Sequence, residues 1–126
     1  MTASEADPGH HHTFIFDRTV TNIGGNYNHH TGIFTSMQSG VYFFSWTVFC
    51  HRGSYYNSQL IVNSKVSGGI ACNLISYFLN SASSVVILQL NSGDVLYVLT
   101  HPTYDIKGQI FSGDHSRTSF SGWKII

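Results

Sequence analysis

Charged residues are scarce in this chain of 126 residues. Aspartate, glutamate, lysine and arginine make up 10% of it, and six basic residues balance six acidic ones. A net charge of zero with neutral histidines lacks the positive excess with which proteins bind nucleic acid, and no run of basic residues is present. The composition therefore argues against nucleic acid as a partner.

Long hydrophobic segments are also missing. No apolar run approaches the roughly 18 to 20 residues that span a bilayer. The first 13 residues are polar, unlike the apolar region of a signal peptide. We therefore expect no membrane insertion, and a secreted protein would have to be represented here in its mature form, without its signal peptide.

Cysteine occurs only twice, at Cys50 and Cys72. The pair lacks Cys-X-X-Cys or zinc-finger spacing, which leaves a disulfide, two buried thiols or an intermolecular bond as alternatives. Because Cys50 ends a row of core-facing residues, a buried thiol is slightly favoured.

No segment has the pattern of a helix, and short strands rich in Val, Ile, Phe, Tyr and Trp alternate with turn residues throughout. This pattern predicts a single all-β domain, a two-sheet antiparallel sandwich of jelly-roll type. The candidate strands are Thr13–Asp17, Gly32–Thr35, Val41–Cys50, Gln59–Val62, Leu74–Leu79, Ser84–Leu90, Val95–Leu99 and Ser119–Ile126. In the last of them, Gly122 is expected to make room for a large neighbour such as Trp46 or Tyr42.

The segment 40–50 is apolar on both of its faces. Alternate residues of a strand point to opposite sides, so one face carries a continuous row from Tyr42 to Cys50 that belongs in a core. The other face still carries Val41, Phe43 and Phe49. A second apolar face indicates a partner subunit or a covering strand. The alternative is that the N-terminal segment of the same chain covers it.

Several different short motifs of aromatic, glycine and asparagine residues are spread along the chain from about Phe14 to its end. They are Phe16-Asp17 with Thr21-Asn22, Gly24-Gly25-Asn26-Tyr27-Asn28, Thr31-Gly32-Ile33-Phe34-Thr35, Gly40-Val41-Tyr42-Phe43-Phe44, Ser81-Ala82-Ser83, Leu88-Gln89-Leu90 with Gly93-Asp94, and Ser119-Phe120-Ser121-Gly122. Each is weak alone, but in this order and spacing they resemble the globular domain of complement component C1q and its relatives in the C1q/TNF superfamily. The resemblance assigns residues 13–126 to a C1q-like domain and leaves 1–12 as a flexible, histidine-containing segment.

The resemblance implies a compact homotrimer in which the second apolar face is buried around a threefold axis. The candidate interface residues are Phe43, Phe49, Val85, Ile87 and Tyr97. It also implies that loops around residues 26–30, 51–57, 80–83 and 104–115 collect at one end of the sandwich, where recognition residues concentrate. Aromatic faces there can stack on sugars. The candidate ligand-binding residues are His51, Arg52, Tyr55, Tyr56, Tyr104, Asp105, Asp114 and His115.

Two kinds of metal site come into question. The run His10, His11 and His12 can chelate zinc or copper through neutral imidazoles, although a flexible tail or a cloning remnant is the alternative. Relatives that bind calcium use aspartates at positions that here look like Cys72 and Asn80. Neither is a carboxylate, so calcium is possible only without the usual apical ligands, and no cofactor is expected to be required.

Catalysis has no support in the sequence. There is no Gly-X-Ser-X-Gly elbow and no motif that places a histidine beside a serine nucleophile. The resemblance implies instead a secreted, non-enzymatic, innate-immune module that recognises glycans or other microbial surface patterns in a lectin-like manner. The alternative is a structural or metal-handling extracellular protein that uses its histidines.

Overall fold

The computed structural model describes residues 1–18, 20–22, 26–74 and 79–126. In these ranges there are ten strands and no helix, and hence no helix long and apolar enough to cross a membrane. The strands are β1 (Glu5–Ala6), β2 (Tyr27–Asn28), β3 (Ile33–Thr35), β4 (Gly40–His51), β5 (Tyr55–Val62), β6 (Lys65–Asn73), β7 (Leu79–Leu90), β8 (Val95–Thr100), β9 (Gln109–Phe111) and β10 (Ser119–Lys124).

The strands form two antiparallel sheets of five strands each. In the first sheet, β4 pairs along its whole length with β7 on one edge and with β9 and β10 on the other, and β1 extends the sheet beyond β9. The second sheet has the order β2-β3-β8-β5-β6. The predicted all-β, two-sheet jelly-roll sandwich is confirmed.

The core lies between the two sheets and is centred on β4. Every second residue of β4, from Tyr42 through Trp46 to Cys50, is buried, as the alternation predicts. The indole Nε1 of Trp46 donates a hydrogen bond to Ser58 Oγ on β5, 3.1 Å away. Because β5 belongs to the second sheet, this bond satisfies the buried indole and joins the two layers.

Gly122 of β10 makes room for an aromatic ring, but the ring is that of Phe44. A Cβ at Gly122 would lie 2.4 Å from Phe44 Cδ1. The expected neighbours Trp46 and Tyr42 were wrong because the cross-strand register sets Gly122 directly opposite Phe44.

Cys50 and Cys72 form a disulfide between the sheets. Their Cα atoms are 6.0 Å apart, and both residues are buried. The slightly favoured interpretation of buried thiols is therefore wrong. The disulfide forms because strand β6, which was not predicted, pairs with β5 and places Cys72 across the core from the end of β4.

Strand β6 itself differs from the sequence-based prediction. No candidate strand covers Gly68 and Gly69, a pair of residues typical of a turn, but both lie inside β6. Gly68 is needed there because a Cβ would approach the Trp46 ring to 2.9 Å. The predicted strand Thr13–Asp17 is reduced to a single bridge between Thr13 and Leu99. Most of the predicted strand Leu74–Leu79, at 75–78, lies outside the described residues.

Residues 1–12 contact the first sheet at their beginning and the second sheet at their end. Strand β1 pairs with β9, the Met1 side chain is buried, and the backbone of His12 exchanges hydrogen bonds with Thr100 at the end of β8. The division of the chain at residue 12 and the flexibility of this segment stay predictions.

We predict that removing the disulfide destabilises the domain without changing its fold. The bond joins residues separated by 22 positions, and closing a loop of this length stabilises a protein by about 3 kcal/mol relative to the open chain. Urea unfolding of a Cys50→Ala/Cys72→Ala double variant should show a free energy of unfolding lower by about this amount. Dithiothreitol should lower the wild-type midpoint and leave that of the variant unchanged. Equal midpoints for the two proteins would contradict the disulfide.

Candidate functional site

The outer side of the first sheet is free of charged residues over three adjacent strands. Cross-strand register and alternation place every second residue of β4, together with its partners on β7 and β10, on this side. We call this surface the uncharged face. Its residues are Val41, Phe43, Ser45, Thr47 and Phe49 of β4, Ser81, Ser83, Val85, Ile87 and Gln89 of β7, and Ser119, Ser121 and Trp123 of β10.

The centre of the uncharged face is apolar and open. The rings of Phe43 and Trp123 stack with centroids 4.2 Å apart, and Ile87 is the cross-strand partner of Phe43 on the other side. Val85, Ile87 and Trp123 are each more than half exposed. The alternative in which the N-terminal segment covers this face is therefore wrong, because that segment pairs with β9 instead.

Four of the five predicted interface residues lie on or within this face, namely Phe43, Phe49, Val85 and Ile87. The placement of Tyr97 with them is wrong. Tyr97 belongs to β8 in the second sheet, and it alternates with the buried Leu96 and Val98, so that its side chain points away from the core. Alternation distinguishes the two sides of a strand but does not tell to which sheet the strand belongs.

Three loops lie close together at the end of the sandwich that is opposite the C terminus. There β4 ends and β5 begins around residues 52–54, β8 ends at Thr100, and the loop that follows returns to Lys107. Lys107 pairs with Tyr55 through two backbone hydrogen bonds of 2.9 Å. The loop of residues 29–32 reaches the same end beside Thr13, which bridges to Leu99. We call this the apical end. Residues 80–83 do not belong to it as a loop, because they lie inside β7.

Tyr104 presents an aromatic ring at the apical end. One side of the ring stacks on His101, with centroids 3.9 Å apart and planes 10° from parallel. The side chain is nevertheless 59% exposed, so its other side faces solvent. We call the pair His101 and Tyr104 the stacked platform.

Hydrogen bonds hold the stacked platform in place. His101 Nδ1 accepts bonds of 3.1 Å from the backbone N–H groups of both Thr103 and Tyr104, and the Tyr104 carbonyl accepts a bond of 2.8 Å from His10 Nε2. His101 was not among the residues predicted for this end, although it contacts Tyr104 directly. The sequence feature that could have identified His101 is the turn that follows it. A turn that begins with Pro102 favours a side-chain acceptor at the preceding residue for the N–H groups of Thr103 and Tyr104.

The other predicted residues of this end differ in exposure. Arg52 and Asp105 are exposed, and Tyr55 is half-buried. Tyr56, predicted to be exposed, is only 2% exposed, and its hydroxyl donates to the Phe49 carbonyl at 2.8 Å. Burial raises the pKa of this hydroxyl. Because adjacent residues of β5 point to opposite sides, Tyr55 and Tyr56 cannot share a binding surface.

His51, Asp114 and His115 form a separate group. The Phe111 ring stacks with both His51 and His115, at centroid distances of 5.7 and 6.2 Å. Phe111 pairs with Phe49, so it projects on the same side of the sheet as the uncharged face. Asp114 forms an ion pair of 3.2 Å with Arg117. This group therefore borders the uncharged face rather than the stacked platform.

The histidines proposed as metal ligands point to different partners. His10 bonds to Tyr104 and His12 to the Glu5 carboxylate, and His11 has a positive φ of 58°. Among the residues that the structure describes, no three histidine, cysteine, aspartate or glutamate side chains converge as metal ligands. Of the two positions compared with calcium ligands, Cys72 is bonded to Cys50, and the Asn80 side chain accepts a bond from the N–H of Ser81.

Comparison with known proteins gives one family and one fold. The family model described as C1q domain matches residues 1–125. A mouse (Mus musculus) protein, the A-type subunit of the complement C1q subcomponent, is 30% identical, over 88% of this chain and 45% of the mouse protein. The chain thus spans less than half the length of this curated relative.

Among solved structures, the "Globular Domain of Zebrafish Complement 1qA protein" superposes with a TM-score of 0.74 at 16% identity, covering 98% of this chain and 94% of that one. This likeness shows the fold alone. A family 35 carbohydrate binding module from Clostridium thermocellum reaches a TM-score of only 0.42 at 13% identity, covering 87% of this chain and 95% of that one, and carries no argument.

We predict that His101→Ala loosens the loop of the stacked platform. The substitution removes the acceptor for the N–H groups of Thr103 and Tyr104 and the ring beneath Tyr104. Hydrogen exchange at these two amides should become faster by about tenfold, the effect of losing roughly 1.4 kcal/mol of local stability. The control is Tyr104→Ala, which removes the stacking but keeps the acceptor and should change the two amides less. Unchanged exchange in His101→Ala would contradict this organisation.

Proposed function

Because the chain belongs to the C1q domain family, we propose that it is an extracellular, non-enzymatic recognition module of innate immunity. It assembles as a homotrimer and binds glycans of microbial surfaces through its apical end. The observation that carries the proposal is the uncharged face, which is apolar at its centre and open in the single subunit.

Self-association is the simplest use of such a face. Interface cores are depleted in charged residues and enriched in aromatic ones, as is the patch around Phe43 and Trp123. A stable interface buries at least about 1,000 Å² in total, and a face three strands wide and up to twelve residues long offers this area. A heterologous contact that closes by rotation gives a ring, which for this family we take to be a trimer.

The stacked platform supports the proposal of glycan binding. The exposed side of Tyr104 offers the flat, apolar surface on which a sugar ring stacks, and Asp105 and Arg52 supply polar groups at the same end. A single platform of this size binds weakly. Three platforms in one trimer raise the avidity by about 100 to 10,000-fold where the ligand engages them together, and a microbial surface repeats its glycans.

The remaining parts of the proposal rest on separate observations. A disulfide between buried cysteines is typical of proteins that fold in an oxidising compartment. Among the described residues, a serine–histidine contact that could serve catalysis is the 3.0 Å between Ser116 Oγ and His115 Nδ1. The two are neighbours in an exposed turn, and the adjacent Asp114 pairs with Arg117 rather than with the histidine, so they lack the orientation of a triad.

We propose that no metal is required. The sulfur of Cys72 is occupied by the disulfide, and the bonds of His10 and His12 to Tyr104 and Glu5 lend no support to the metal-handling alternative. Hard cations prefer several charged oxygens. EDTA should therefore change neither the assembly nor the binding described below.

We predict that Ile87→Lys converts the trimer into monomers. Ile87 lies beside Phe43 at the centre of the uncharged face, and burying an ammonium there without a partner costs several kcal/mol. In sedimentation equilibrium the wild type should give about 42 kDa, three times the 14.0 kDa of one chain, and the variant should give 14.0 kDa.

The matched control is Val66→Lys. Val66 on β6 is 61% exposed and Ile87 is 64% exposed, but Val66 belongs to the second sheet. This variant should remain trimeric. Monomerisation by both variants, or by neither, would contradict the uncharged face as the interface.

We predict that Tyr104→Ala abolishes glycan binding while Tyr104→Phe retains it, since the ring rather than the hydroxyl makes the stacking surface. Loss of one stacked contact of about 1 kcal/mol at each of three sites multiplies across the trimer, so the signal on a glycan array should fall by at least about 100-fold. Arg52→Ala and Tyr55→Ala should weaken it as well. An array without any signal for the wild type, together with zinc uptake lost on deletion of residues 10–12, would instead favour the metal-handling alternative.

A further inference from the structure

A cleft of about 160 Å³ opens on the outer side of the second sheet. Its lining divides by chemistry into an apolar and a polar part. The apolar residues are Ile33, Tyr97 and Leu99, and the polar residues are His11, Thr13 and Thr31. A sugar ring has the matching division, an apolar face and an edge of hydroxyl groups, and small-ligand sites commonly combine an apolar lining with a few polar groups.

The walls of this cleft are held by the backbone. Thr13 bridges to Leu99, and the N–H of Phe14 donates to the Val98 carbonyl at 2.8 Å. On the other side, Gly32 has a φ of +77°, and a Cβ there would lie 2.5 Å from the Phe14 oxygen. The loop of residues 29–32 therefore packs against residues 13–14 as only a glycine allows. The cleft is formed before any ligand arrives.

The cleft is separate from the uncharged face. Tyr97 projects from β8 in the second sheet, whereas the uncharged face belongs to the first sheet. None of the residues that line the cleft belongs to the uncharged face.

The cleft adjoins the stacked platform. His11 lines the cleft, and the preceding residue, His10, bonds to the carbonyl of Tyr104. Consecutive residues have Cα atoms about 3.8 Å apart, so the His10-His11 dipeptide connects the two surfaces.

We propose that the cleft and the stacked platform are neighbouring subsites for one oligosaccharide, so that the ligand is a chain of at least two sugar residues rather than a single sugar. One residue stacks on Tyr104, and the next places its apolar face against Tyr97 and Ile33, with its hydroxyl groups toward Thr13 and Thr31. This inference rests on the proposed glycan binding and extends it to the length of the ligand.

The test compares chain lengths on an array printed with mannose, glucose and N-acetylglucosamine homologues of one to four residues. In at least one series, wild-type binding should increase by about tenfold or more from one to two or three residues, tenfold corresponding to about 1.4 kcal/mol. Thr31→Trp, which fills the cleft from an exposed position, should keep the binding to the single sugar and lose the increase. Tyr97→Ala, which removes part of the apolar lining, should lose the increase as well.

The matched control is Met37→Trp, which adds the same ring at an exposed position before β4, away from the apical end. It should reproduce the wild-type dependence on length. Thermal unfolding of each variant checks that it is folded. The inference is overturned if the wild type binds single sugars as well as longer chains, or if Thr31→Trp and Tyr97→Ala keep the increase. If the wild type binds no sugar in any series, glycan recognition itself fails and the inference fails with it.

Discussion

Strand β4 is apolar on both of its sides, and most of the molecule is arranged around it. Its inner side fills the space between the sheets, where Trp46 bonds to Ser58 and Cys50 is bonded to Cys72. Its outer side continues across β7 and β10 as a face without a charged residue. One side of the strand forms the core of the domain, and we propose that the other side is covered by further copies of it. The apical end lies beyond the end of β4.

The sequence was sufficient to predict what depends on alternation within one strand. The inner row of β4 and the outward position of Phe43 and Phe49 follow from the period of two. Val85 and Ile87 were predicted through the resemblance to the C1q/TNF superfamily. The sequence was insufficient to predict features that depend on which strands pair with each other. Gly68-Gly69 is typical of a turn, and only the Trp46 ring packed against Gly68 shows why a strand needs glycine there. Missing β6 meant missing the position of Cys72 opposite Cys50.

The candidate site shows the same division. Tyr104 was predicted from its loop position and is exposed, whereas Tyr97 was assigned to the wrong surface because neighbouring sheets cannot be told apart locally. His10, His11 and His12 were interpreted as possible ligands for a metal, which stays a prediction. In the structure His10 bonds to the Tyr104 carbonyl, and His101 accepts bonds from the backbone of Thr103 and Tyr104. Imidazole nitrogens serve equally well as hydrogen-bond partners, and composition alone does not distinguish the two uses.

The most direct test of this account is quenching of tryptophan fluorescence by acrylamide in the unmodified chain. Of the two tryptophans, Trp46 is buried in the core, and Trp123 is more than half exposed in the single subunit but lies on the uncharged face. If that face is buried by self-association, both indoles are protected at micromolar concentration. Trp123 then becomes accessible only on dissociation. Free quenching of half of the emission under all native conditions would contradict the account, because the outer side of β4 would then be open to water.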